Sequence, residues 1–204
     1  MCTLVRAQDT AQDKQLEPKN SSVQPNKNET NDQGSDADMQ AKMKEQEKLK
    51  ADLMNNYNDA DFVKILSMGN ASEIAAAQQA IQKTHNDDVK MLAQHMLDDH
   101  TAAGNELGSL AASKGWTVSD QPDVKHQMKM KDMNDLAPAD FDKAYASAQV
   151  TDHQETIALM KYAQDKTSDD QLKGFINKEL PTFQEHLRMA QDLDNKLTAM
   201  GSAR

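Results

Sequence analysis

Cysteine is nearly absent from this 204-residue sequence: Cys2 is the only one, so no disulfide can close within the chain and no thiolate cluster can hold a metal. Aromatic residues are also scarce, at 4%, which leaves Leu, Ile, Ala and thirteen Met to build a core. Most of these favour helices over strands, and an all-α protein is expected. Basic residues are outnumbered, 23 against 33 acidic, and a net charge of -10 would repel a polyanion, which excludes nucleic acid as a partner and favours cations. No run of eighteen apolar residues occurs, so no transmembrane helix is expected. A glycine-rich phosphate loop, a nucleophile elbow and an HExxH zinc motif are all missing, and no pairing of nucleophile with general base can be named.

What the sequence does contain is unevenly distributed. Thr3-Leu4-Val5-Arg6-Ala7, followed by Gln8-Asp9, reads as the tail of a secretory signal with Val5 and Ala7 as the small residues before cleavage. On that reading the start lies upstream and the product is exported to the periplasm or outer envelope, with a lipid-modified Cys2 as a variant; if the given start is genuine, the protein is cytoplasmic. Residues 8 to 38 are dominated by Gln, Asn, Asp, Ser, Lys and Pro, too polar to offset the entropy of ordering them. Residues 1–38 are therefore expected to form a disordered tail, residues 39–58 a linker or short solvated helix, and residues 59–200 the folded domain.

Within that domain, caps and breakers separate four long helices. The first runs from Asp61 to Lys83 with a stripe of Phe62, Leu66, Gly69, Glu73, Ala76 and Ala80; the second follows an Asn86-Asp87 cap and ends at Gly115, with Val89, Leu92, Met96, His100, Ala103, Leu107 and Leu110 on one face. A connection with Trp116, Pro122 and a short helix near Val124 to Met133 is long enough to return along a bundle. The third helix opens at Pro138 and reaches Lys166. Ser168 and Gln171 have capping-box spacing before the fourth, whose stripe is Leu172, Ile176, Glu179, Phe183, His186, Ala190, Leu193 and Leu197. Pro181, inside it, removes a backbone hydrogen bond and should kink it. Short breaks on either side of a long connection predict two antiparallel hairpins, the plan of a ferritin-like four-helix bundle.

Three of these helices repeat one signature, an acid followed by His and then an apolar residue seven positions on: Asp99-His100 with Leu107, Asp152-His153 with Met160, and Glu185-His186 with Leu193. Seven residues make two helical turns, so each His shares a face with an apolar residue and turns inward. Each His also lies near its helix midpoint, as does Glu73, the one acid on the first stripe. Midpoints meet whichever way the helices run. Glu73, His100, His153 and His186 therefore form a candidate metal site for zinc, iron or manganese. Asp99, Asp152 and Glu185 stand about 100° around the helix from their histidines and are expected to solvate the outside or orient neighbours, with Glu179 in the same supporting role. His126 with Met128, Met130 and Met133 is a weaker candidate for monovalent copper, since thioethers are soft ligands and Met is more often a core filler. His85 and His95 fall off the stripes and read as surface residues.

With these residues in view, the stretch from Asp61 to Leu197 resembles the bacterial exported proteins grouped as domain of unknown function 4142 (DUF4142) and classed as ferritin-like. The resemblance rests on Phe62-Val63 with the small-residue run ending in Glu73, on Met96-Leu97-Asp98-Asp99-His100-Thr101, on Ala144-Tyr145 leading to Asp152-His153, and on Leu180-Pro181 followed by His186-Leu187. It implies export and a helical bundle but no reaction. The di-iron pattern of ferritin-like proteins needs Glu three residues before His on two helices. Here Leu97, Val150 and Phe183 stand there, which argues against a carboxylate-bridged di-iron centre. Two readings stay open: a bundle that binds a divalent metal, with a role in the envelope or under oxidative stress, and a structural or protein-interaction bundle with neither metal nor catalysis.

Overall fold

The computed structural model describes residues 36–202. Cys2, the Thr3–Ala7 segment and residues 8–35 of the expected tail lie outside the described residues. Those described form six helices and no strand: α1 (Asp36–Asn55), α2 (Asp59–Lys83), α3 (Asp87–Lys114), α4 (Val124–Asn134), α5 (Pro138–Lys166) and α6 (Asp170–Ser202). None is long and apolar enough to cross a membrane.

Local chemistry accounts for the ends. Asn58 caps α2 by accepting from the Asp61 amide at 2.8 Å, and Asn86 caps α3 by accepting from the amides of Asp88 and Val89. Gly115 closes α3 with φ +71°, a left-handed conformation that a Cβ would strain. The start of α6 departs from the capping box expected at Ser168. Asp169 is the cap: its carboxylate accepts from the amides of Gln171 and Leu172, both at 3.0 Å, and its carbonyl takes the first helical bond from Lys173. A carboxylate there also faces the positive end of the helix dipole, which a serine hydroxyl does not match. α6 then continues through Pro181 without ending, although the missing proline N–H removes one rung of the ladder.

α1 is longer than the short solvated helix expected there. Twenty residues are helical from Asp36, and Leu53 is completely buried in the core beside Leu49. Gln46 further anchors α1, its side-chain carbonyl accepting from the Val124 amide at 2.9 Å. Met39, Met43, Gln46, Leu49 and Leu53 are the described side chains of this helix that are not exposed, and their three- and four-residue steps dock one face.

The four long helices pack α2 on α3 and α5 on α6, and the pairs meet through α3 with α6 and α2 with α5. Their apolar side chains divide into two clusters. One joins Phe62–Met68 of α2, Leu107 and Ala111 of α3, Ile157–Ala163 of α5 and Leu172–Phe183 of α6. The other joins Ala77 and Ala80, Val89–Met96, Phe141–Ala146 and Ala190–Leu197 of the same helices. The start of α2 thus meets the end of α3, and likewise for α5 and α6, so each pair is antiparallel. Between the clusters, at mid-helix, the buried side chains turn polar: Glu73, His100, Gln149, His153 and His186.

Candidate metal centre

His100 of α3, His153 of α5 and His186 of α6 meet in that layer, each 1% exposed, with one ring nitrogen of each within 4.8 Å of the others. His100 Nε2 lies 3.4 Å from His153 Nε2, which lies 3.3 Å from His186 Nδ1. The Phe183 ring closes one side of the group, 5.0 Å from the His100 ring. α6 supplies both Phe183 and His186 because they are three residues apart on one face.

The outer nitrogens decide where the ring protons sit. His153 Nδ1 is 3.0 Å from the carbonyl oxygen of Gln149, an acceptor only, so it is Nδ1 that carries the proton and donates. His186 Nε2 likewise donates to the Asp99 carboxylate at 2.9 Å. His100 Nδ1 donates to the side-chain oxygen of Asn70 at 3.0 Å. Gly104, one turn beyond His100, leaves room for that Asn70: a Cβ at this position would come within 2.6 Å of its amide nitrogen. Each inner nitrogen is then a lone pair. Burial depresses all three histidines, His100 well below the usual range and His153 to about 4, and it lowers His186 against the pull of Asp99. At neutral pH the rings are uncharged, and three acceptors converge on one small volume.

Glu73 does not join them. Its carboxylate lies behind His153, with Oε1 4.0 Å from Nδ1, the nitrogen facing away from the other rings, and Oε2 accepting from Gln149 Nε2 at 2.8 Å. Burial, and then the nearby Asp152, raise its carboxyl to about 7. Glu73 sits at the right depth, but on the side of α2 that meets Gln149 of α5. It faces a half-open cavity of about 260 Å³ walled by Leu53, Ile65 and Leu66.

The acids beside the histidines differ from one another. Asp99 orients His186, as expected of a supporting residue. Asp152, expected to solvate the outside or orient neighbours, is buried and pairs with Lys129 at 3.0 Å and with His126 at 3.4 Å. Glu185 is exposed and pairs with Arg188, while the buried Glu179 pairs with Lys178 at 3.2 Å. His126 does not gather the nearby methionines. Met128 is exposed and Met133 packs into the apolar core, and His126 Nδ1 instead forms an ion pair with Asp123 Oδ1 at 2.8 Å. Burial opposes its charged form, but Asp123 and Asp152 prevail and raise it to about 9. A cation between two buried carboxylates is what their desolvation requires.

His95 lies at the surface, as its place off the stripes predicts. Its Nε2 nonetheless lies 3.3 Å from the same Asp99 oxygen that holds His186. The four-residue spacing from Asp99, one helical turn, is the signal for that contact.

The fold and the polar layer define an all-helical protein with a buried three-histidine cluster. Residues 43–193 match the domain of unknown function DUF4142, and the chain belongs to that family. No curated protein and no solved structure matches it.

Proposed function

We propose that this protein is a ferritin-like four-helix bundle, elaborated by α1 and α4, that binds one divalent metal through His100 Nε2, His153 Nε2 and His186 Nδ1. The carrying observation is the convergence of deprotonated nitrogens. His153 and His186 point lone pairs at each other across 3.3 Å, and neither can turn a proton inward without abandoning a carbonyl or a carboxylate. Acceptors so placed repel one another unless they share a cation. Two of the three spacings, 3.4 and 3.3 Å, suit one, because metal–nitrogen bonds of about 2.0–2.1 Å at the tetrahedral angle set donors about 3.3–3.4 Å apart. An all-imidazole donor set favours zinc or ferrous iron over manganese, which prefers oxygen ligands. Each ring also donates its other N–H to oxygen, the arrangement that fixes tautomer and orientation in metal-bound histidines.

The test is zinc titration of untagged, chelator-treated protein, followed by thermal unfolding. One equivalent should bind, and at about 100 times Kd the ion should add about 2.7 kcal/mol of stability. No uptake at micromolar zinc would leave the structural bundle as the reading that stands.

Gly104 gives a narrower check on the same site. Gly104→Ala gains helix propensity but forces Asn70 away from His100. Zinc affinity is expected to fall by about tenfold with the helices intact, because a partner that orients a ligand is lost. Unchanged affinity by competition with a chelator would show that Asn70 has no part in holding the ring.

A further inference from the structure

We infer that His95 and Asp99 form a surface capture site through which a divalent cation reaches the buried histidines, an inference that rests on the metal reading above. The buried cluster has no exposed ligand: His100, His153 and His186 are each 1% exposed. One ring nonetheless bridges the buried cluster and the surface. His186 turns Nδ1 inward to His153 and Nε2 outward to Asp99, and His95, Asp99 and His186 form a second set with ligand atoms within 4.8 Å of one another. Exposure falls along this set, from 46% for the His95 side chain to 36% for Asp99 and 1% for His186. The His95 and His186 rings stand edge to face, 5.4 Å between centroids, so the two groups are one imidazole apart.

The chemistry of the outer pair suits brief capture. An imidazole nitrogen and a carboxylate oxygen 3.3 Å apart offer a divalent cation two ligands, with water for the rest. Capture leaves the proton on His186 Nε2, so the hydrogen bond that orients the inner ring survives. The inner site, with three nitrogens, binds more tightly and draws the ion onward. Passage then requires the His186 ring to swing aside and release Asp99 for a moment.

A port and a resident ligand make different kinetic predictions. A residue that only conducts the ion changes the rates of binding and release by the same factor and leaves affinity alone. A resident ligand changes affinity. The probe is cobalt(II), whose visible absorption reports tetrahedral coordination, mixed by stopped flow with chelator-treated full-length protein. His95→Ala should slow the rise in absorbance by about tenfold, within the range of effects seen when a site stops concentrating its ion, while the final absorbance and the zinc affinity stay within about twofold. His85→Ala, which removes another exposed histidine, should leave the rate unchanged. An unaltered rate in His95→Ala would overturn the capture site and leave the buried site standing. Loss of affinity matching the loss of rate would make His95 a ligand of the resident ion. Failure of the unsubstituted protein to take up cobalt or zinc would remove the metal reading itself.

Discussion

Replacing His153 with Leu is expected to do two opposite things: lower zinc affinity by about a hundredfold or more, and stabilise the metal-free protein. The first follows from ligand count. Four-ligand structural zinc sites bind with apparent free energies of about 10–16 kcal/mol, so one ligand in four is worth on the order of 3 kcal/mol. The second follows from the cluster itself. His153 is the ring that both others face, at 3.4 and 3.3 Å, and without a cation it holds a buried lone pair against two more. Leu is close to His in size and a stronger helix former, and it restores apolar contact with Phe183, whose ring lies 5.9 Å from that of His153. A gain of about 1–2 kcal/mol in chelator is expected from relief of an unsatisfied buried polar group. Urea unfolding in chelator and competitive zinc titration measure the two effects. A metal-free variant markedly less stable than its parent would mean that the histidines hold the core by hydrogen bonding alone.

Glu73→Gln should raise stability at pH 8 by about 2–3 kcal/mol, with the gain disappearing as pH falls below about 4.5 and with zinc affinity unchanged. The carboxyl titrates near 7 in the folded protein against an ordinary 4.5, chiefly through burial. Because the folded value is raised, its contribution is fully present below about 4.5 and is lost as pH rises through 7. Above that, a shift of this size costs about 3 kcal/mol at 1.36 kcal/mol per pH unit. Gln carries no charge to desolvate and keeps an oxygen for Gln149 Nε2. The histidines titrate in both proteins and cancel in the difference, which isolates Glu73. A difference that does not vary with pH would refute the raised value. Loss of zinc affinity would return Glu73 to the ligand set.

The contrast between His153 and Glu73 shows what a sequence can carry. An inward stripe and a midpoint fix depth, and depth was enough to select His100, His153 and His186. Neither quantity fixes which neighbour an inward side chain meets. That depends on helix rotation and rotamer, and α2 turns Glu73 toward Gln149 of α5. All eight residues of the α6 stripe are buried, because a long apolar stripe leaves one rotation open to the helix. α1 is exposed on most of its surface and shows only a thin seam, with Leu53 its one fully buried side chain among those described. His95 is exposed, as its place off the stripes implies, but periodicity says nothing of its approach to Asp99, 3.3 Å away.

The polar layer also bears on registration. A core of Leu, Ala, Met and few aromatics offers many nearly equivalent ways for one helix to slide past another, since a shift of one turn, about 5.4 Å, replaces one small apolar side chain with another. Such a slip moves His186 away from His153 and Asp99 together and strands a buried imidazole among methyl groups. The penalty is larger for every misaligned arrangement than for the native one, in which His186 keeps its bond to Asp99. The same three rings can therefore act as a vertical key for the long helices, selecting a single stacking that the apolar halves alone would leave loosely defined.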